Sequence, residues 1–303
     1  MTAEIEEESG NDTGPAGMLT GRRRLYALAA AGAVLAIGAA ALVGFLGRET
    51  GPVIASAGIV QGDVRIQSAS GGNWRQIGSI AAPLVAGTSL RATSSGRIAL
   101  DLPAQGSLRL DASTQVTLTG EREIELASGS IYVDTGTDAA SPPIAIATDV
   151  GAIQAIGAQV AVVLAPDVLY VSVRSGDVEL VRDADAIPVA ASAGEGIQLL
   201  AGDSPRRMDI RTYGSDWTWI ETLSSAPDVQ GQTLASFLDW FRYETGRPLR
   251  FDDSTTEARA ATATLDVDVE GLDAMRALEI VLSTTELEHS SRYDGSIRIS
   301  PRS

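Results

Sequence analysis

The sequence predicts a mainly β protein with a single transmembrane helix near its N-terminal end and a small α+β module at its C-terminal end. Three observations carry this. Between about Gly58 and Ile210, apolar residues fall at every second position in short runs headed by glycine, the period of half-buried strands. After Asp228 the period lengthens to that of helices, with strands between them. Leu25–Leu46, LYALAAAGAVLAIGAAALVGFL, carries no charge over 22 positions. As a helix that run is roughly 33 Å long, enough to cross a hydrocarbon core.

Residues 1–24 hold Glu4, Glu6, Glu7, Glu8 and Asp12 among Gly10, Gly14, Pro15 and Gly17, and read as a disordered cytoplasmic tail. Arg22, Arg23 and Arg24 stand directly before the apolar run, and only Arg48 and Glu49 follow it. The positive-inside rule then places the N-terminus in the cytoplasm and the bulk of the chain in the periplasm, anchored in the inner membrane by one pass. A secretory signal has a shorter apolar region with a small-residue cleavage site close behind. Here the nearest such site beyond the run is Ala55-Ser56-Ala57. Arg22-Arg23-Arg24-Leu25-Tyr26 also fits a twin-arginine export signal loosely, but the uncleaved anchor is the expected state.

In the β region, 58–201, one phrase recurs: Gly62-Asp-Val64-Arg-Ile66, Gly96-Arg-Ile98-Ala-Leu100, Gly129-Ser-Ile131-Tyr-Val133 and Gly176-Asp-Val178-Glu-Leu180. Each reads as a glycine turn followed by a strand. Further strands are predicted at Ser107–Leu110, Gln115–Leu118, Arg122–Leu126, Ile144–Ala147, Val160–Leu164 and Tyr170–Val173. The pattern fits a twisted solenoid or a sandwich. Residues 202–227, with Trp217 and Trp219, read as a connector packed on one domain or the other.

Residues 228–303 read as βαβ-βαββ. Thr233 caps a helix whose Leu234, Phe237, Leu238 and Phe241 share one face, and Gly246 and Pro248 stop it. A strand at Leu249–Phe251 follows, then a loop opened by Asp252-Asp253 and a strand over Ala263–Val269. Asp273 caps a second helix with Ala277, Leu278, Val281 and Leu282 inward. Arg292–Tyr293, Asp294-Gly295 and Ile297–Ile299 read as a terminal hairpin.

Composition narrows the chemistry. The chain has 303 residues, net charge −16, no Cys and one His, and its 23 basic residues are all Arg. Without cysteine there are no disulfides and no thiolate metal sites, and Cys-His nucleophile pairs are excluded. His289, the single histidine, reads as an exposed surface residue. Acidic charge argues against nucleic acid as a partner. Asp266, Asp268 and Glu270 alternate as a solvated strand face rather than as a calcium loop, and no catalytic, cofactor or metal residue is assigned. Trp217, Trp219 and Trp240 read as packing residues.

Ordered pieces of the chain resemble a known family. Val60-Gln-Gly-Asp-Val64, Val85-Ala-Gly-Thr-Ser-Leu90, Gly96-Arg-Ile-Ala-Leu-Asp-Leu102, Ser107-Leu-Arg-Leu-Asp111, Ile124-Glu-Leu-Ala-Ser-Gly-Ser-Ile-Tyr-Val133, Tyr170-Val-Ser-Val-Arg-Ser-Gly-Asp-Val178 and Ala193-Gly-Glu195 resemble the FecR domain of bacterial envelope regulators over 58–201. Gln232-Thr-Leu-Ala-Ser-Phe-Leu238, Glu244-Thr-Gly246, Gly271-Leu-Asp-Ala-Met-Arg-Ala-Leu278 and Asp294-Gly-Ser-Ile-Arg-Ile299 resemble the short N-terminal domain of secretins and TonB-dependent receptors. The resemblance implies a non-enzymatic, single-pass regulator without a cofactor. Its periplasmic part meets envelope proteins such as a TonB-dependent receptor or another membrane regulator, and its output reaches an extracytoplasmic-function sigma factor. The alternative is an envelope adaptor with no cytoplasmic output. A small βαβ module leaves a strand edge open. Over Ala263–Val269 that edge makes Thr264, Asp266, Val267 and Asp268 the expected partner-binding residues, for an extended basic partner.

Overall fold

The structure, a computed structural model, describes residues 51–77, 82–103, 106–136, 142–182 and 186–302. The tail and the apolar run Leu25–Leu46 lie outside these residues. Among the described residues no helix is long and apolar enough to cross a membrane.

Among the described residues fifteen strands come first: β1 (Val53–Gln61), β2 (Val64–Gln67), β3 (Arg75–Gln76), β4 (Pro83–Val85), β5 (Thr88–Ala92), β6 (Arg97–Leu102), β7 (Gly106–Leu110), β8 (Thr114–Gly120), β9 (Glu123–Asp134), β10 (Ile144–Ala147), β11 (Ala152–Ala165), β12 (Val168–Val181), β13 (Val189–Ser192), β14 (Glu195–Leu200) and β15 (Arg206–Asp209). They form one hydrogen-bonded network with two leaves. One leaf runs β3-β2-β5-β8, then the first half of β9, β10, the first half of β11, the second half of β12 and β13. The other runs β4-β1-β6-β7, then the second half of β9, the second half of β11, the first half of β12, β14 and β15. Alternation points every second side chain inward. Ile66, Leu90, Val116 and Ile124 of the first leaf and Leu84, Leu100, Leu108 and Ile131 of the second belong to one apolar core.

This corrects the reading of two glycines. Gly129 and Gly176 do not open strands; they lie inside β9 and β12, where each strand passes from one leaf to the other. The ladders slip at these places, between Gln115 and Val116 opposite β9 and between Ile156 and Gln159 opposite β12. Gly129 has φ 93° and Gly176 φ 73°, both left-handed. A β-carbon at Gly176 would sit 2.1 Å from the Gly157 carbonyl oxygen. Only glycine lets the long strands bend there. The recurring phrase marks this close approach as well as true turns.

The C-terminal region contains α1 (Thr218–Glu221), α2 (Leu234–Thr245), β16 (Leu249–Phe251), α3 (Ser254–Thr262), α4 (Ala274–Ser283), β17 (Leu287–Ser291) and β18 (Ile297–Pro301). Thr233 accepts a hydrogen bond from the Ser236 amide to start α2, and Gly246, at φ 66°, ends it. Leu234, Phe237, Leu238 and Phe241 are buried, as their spacing requires. Asp273 caps α4, which buries Ala277, Leu278, Val281 and Leu282. β18 sits between parallel β16 and antiparallel β17. The first strand of the hairpin is Leu287–Ser291 rather than Arg292–Tyr293, which belongs to the turn. A second core, from Ala226 to Ile299, joins α2, α3, α4 and the three strands, while Ile220 of α1 packs with Tyr132 and Trp217 instead.

Two further expectations are corrected. Ala263–Val269 is not a strand: it makes one isolated bridge, Thr233 with Thr264. Its amides and carbonyls bond Gly231, Gln232 and Leu234. No ladder grows, because the facing chain enters α2 at Leu234. Side chains still alternate: Leu265 and Val269 are buried, Val267 half-buried, and Thr264, Asp266 and Asp268 exposed. The segment before it, read as loop, is helix α3. Only Thr256 and Ala260 of α3 are buried, so it has little apolar stripe to be recognised by.

Asp253 holds the start of α3, its Oδ1 accepting from the Thr256 amide (2.7 Å) and hydroxyl (2.9 Å). Those bonds, the backbone one first, hold its carboxyl below the usual carboxylate range. A depressed folded value means the cap is present above the unfolded pKa and is lost as pH falls through the folded one. Asp253→Ala should speed amide exchange at Thr256 and Glu257. Asp253→Asn should retain protection and remove its acid dependence.

Candidate functional site at the module junction

Gly51–Ser303 forms one compact unit. Its two cores meet where the C-terminal end of α2 rests on the outer face of the second leaf. Register assembles that face: Arg109 of β7 lies beside Tyr132 of β9, Asp134 of β9 beside Gln159 of β11, and Arg174 extends from β12. All five are buried, with Arg109 at 6% and Arg174 at 4% exposure, although outward polar residues of a strand ordinarily meet water.

What covers them is the last turn of α2. The final carbonyls of a helix have no intrahelical partner. Gln159 Nε2 donates to the Tyr243 carbonyl (3.2 Å), and Arg174 Nη1 donates to the Glu244 carbonyl (2.8 Å). Residues of the β module therefore cap a helix of the α+β module, and a guanidinium at a helix C-terminus also meets the dipole favourably. Arg109 Nη1 pairs with Glu244 Oε1 at 2.5 Å and donates to the Ile220 carbonyl at 2.9 Å. The Tyr243 hydroxyl donates to Asp134 (2.7 Å), whose other oxygen accepts from Gln159 (3.0 Å).

The connector closes the rim. Trp217 sets its ring edge-on to Tyr132, centroids 6.4 Å apart, and the Arg174 guanidinium lies 4.2 Å over Trp217. Arg174 Nε also donates to the Thr212 carbonyl (3.0 Å). Arg247 pairs with Glu221 at 3.1 Å, and Gln61 donates to the Thr222 carbonyl at 3.0 Å. The connector thus touches both modules. Beside it opens a groove of about 490 Å³ lined by Asp239, Arg242, Tyr243, Gly246, Arg247 and Pro248.

Burial alone would lower the Arg109 pKa, but the Glu244 carboxylate reverses this, so the net direction is upward and the guanidinium stays charged. Burial, then Asp134, pushes the Tyr243 hydroxyl up, so it remains a donor. Burial raises Tyr132 likewise. The carboxylates of Glu244 and Asp134 are engaged by Arg109, Tyr243 and Gln159. The arrangement holds two modules together; it does not present a base to a nucleophile.

The residues named from sequence lie elsewhere. Asp266 accepts from Gln230 (3.0 Å), Val267 packs on the second core, and none of the junction's hydrogen bonds involves Thr264, Asp266, Val267 or Asp268. His289 is half-buried on β17. Trp240 packs on Phe237 at 5.4 Å. Among the described residues no group of three or more His, Asp or Glu is placed to hold a metal ion. Sequence reasoning missed Arg109, Gln159 and Arg174, because each sits at a strand position whose period reads as solvent-facing, and it missed Glu244, which continues the buried stripe of α2 beyond Phe241 but carries a charge.

Two crystal structures of a protein from Parabacteroides distasonis ATCC 8503, provisionally assigned as an anti-sigma factor, each cover 71% of this chain and 99% of their own at 14% identity. Their TM-scores are 0.38 and 0.37. No curated protein matches the sequence. Residues 88–179, from β5 to β12, match the model described as FecR protein, and this stretch supplies Arg109, Tyr132, Asp134, Gln159 and Arg174 to the junction.

Proposed function

We propose that this chain is a FecR-like regulator that works by protein contact across a bacterial inner membrane. Leu25–Leu46 anchors it, Arg22–Arg24 hold the N-terminus in the cytoplasm, and residues 51–303 meet an envelope partner in the periplasm. The partner is a TonB-dependent receptor or another membrane regulator, and the output reaches an extracytoplasmic-function sigma factor. The FecR match over 88–179 is the observation that carries this reading. The positively flanked apolar run supports the placement, and the junction, built of salt bridges and caps, suits a protein that transmits contact rather than performs chemistry.

Alkaline phosphatase fused after Ser303 should be active in the periplasm, and changing Arg22, Arg23 and Arg24 to Glu should lower that activity. Activity only of a cytoplasmic reporter at the same position would end the anchored reading. For the output, deleting residues 51–303 should change transcripts that share one alternative sigma-factor promoter class. Unchanged transcripts with partner capture intact would favour the adaptor role instead.

A further inference from the structure

From the junction we infer a latch: the α+β module undocks from the β module as a folded body, tethered by the connector, without either core opening. Three features of the unit support this.

The apolar cores are separate. One draws its buried members from Ile54 to Leu199 and the other from Ala226 to Ile299, with none in common. The buried apolar bridge between them is Tyr132 with Trp217 and Ile220. Parting the modules therefore leaves both cores closed, and little apolar surface resists it.

The bonds that do resist it are polar. They run to two carbonyls and one carboxylate in the last turn of α2, plus the Tyr243 hydroxyl. Water replaces such bonds on opening, so each contributes far less to docking than its geometry suggests.

Unsatisfied groups gather at the same place. Among the described residues six buried side-chain atoms lack a hydrogen-bond partner, and Tyr132 OH, Arg174 Nη2, Glu221 Oε1 and Arg247 Nε are four of them. All four belong to the junction and its rim. Desolvation penalises each while the modules are docked, and opening hydrates them. The closed state is thus poised, held by some junction groups and opposed by others. A partner that binds the α+β module when it is released shifts the balance by its preference for that state.

The chain has no cysteine, so a label pair can be introduced cleanly. Gln154→Cys on the first leaf and Ser283→Cys at the end of α4, both exposed, receive spin labels in the purified full chain in detergent. Pulsed electron resonance should give one dominant distance. Arg109→Ala with Arg174→Ala should raise a longer-distance population about tenfold. Amide exchange in β6, β7, α2 and α4 should stay protected, and Arg109→Lys should remain mostly closed. A distance distribution unchanged in the double variant overturns the latch. So does a longer distance accompanied by loss of protection in α2 and α4, which is unfolding. If the double variant does not fold, Tyr243→Phe with Glu244→Gln removes the Asp134 bond and the charge of the pair; a single unchanged distance there overturns the latch equally. Undocking belongs to the unit itself, so a negative result leaves the signalling role standing.

Discussion

Gly176→Ala is expected to lower stability by about 2–5 kcal/mol, the sum of left-handed backbone cost for a residue with a β-carbon and overpacking against main chain. The new methyl would lie 2.1 Å from the Gly157 oxygen and 2.7 Å from the Ala158 α-carbon, both on β11. These are backbone atoms of a paired strand, so relief requires β11 and β12 to part where they change leaf. Gly202→Ala is the control. That residue has φ 85° with nothing near its would-be β-carbon, so it should show only the conformational cost, about 1–2 kcal/mol. Urea denaturation of both variants measures the difference. Equal losses would mean that the strand crossing yields, and that the bend in β12 is not sterically set.

Phe237→Ala should cost roughly 3–5 kcal/mol, the usual range for removing a fully buried phenyl group. Phe237 is 1% exposed in the second core, with Trp240 against one side. Amide exchange reads the result by region. Protection should fall in α2, α4 and β18, which share this core, while β6 to β8, in the other core, keep theirs. A loss below about 1 kcal/mol would show that the neighbouring side chains collapse into the space.

The parts of the fold legible in the sequence are those where one local rule decides. Alternation located β7, β8, β10, most of β9 and β12 and the second part of β11, because one face of each is buried and the other is not. The α2 and α4 stripes were legible for the same reason. What stayed hidden depends on distant partners. Nothing within a few residues of Gly129 tells a turn from a bend that hands a strand to a second leaf; the crossing chain at Thr114 decides it. Ala263–Val269 alternates like a strand but meets a chain that turns helical. Helix α3 has too small a buried stripe for its period to show, though Asp253 three residues before Thr256 was a capping signal. The junction was least legible. Arg109 and Arg174 look solvated in any local window, and Glu244 continues the buried stripe of α2; only the docking of α2 brings the three together.

The caps of α2 have a consequence for how the chain is made. Arg174 precedes Glu244 by 70 residues and Gln159 precedes Tyr243 by 84, so the ribosome releases the capping groups well before the helix they cap. Domains made from the N-terminus inward generally fold in that order. By the time α2 emerges, the β face that receives its last turn is already standing, and the helix finishes on a template instead of alone. A circular permutant that begins at Asp228 would reverse the schedule and oblige α2 to wait, its last carbonyls open, for its caps to be synthesised.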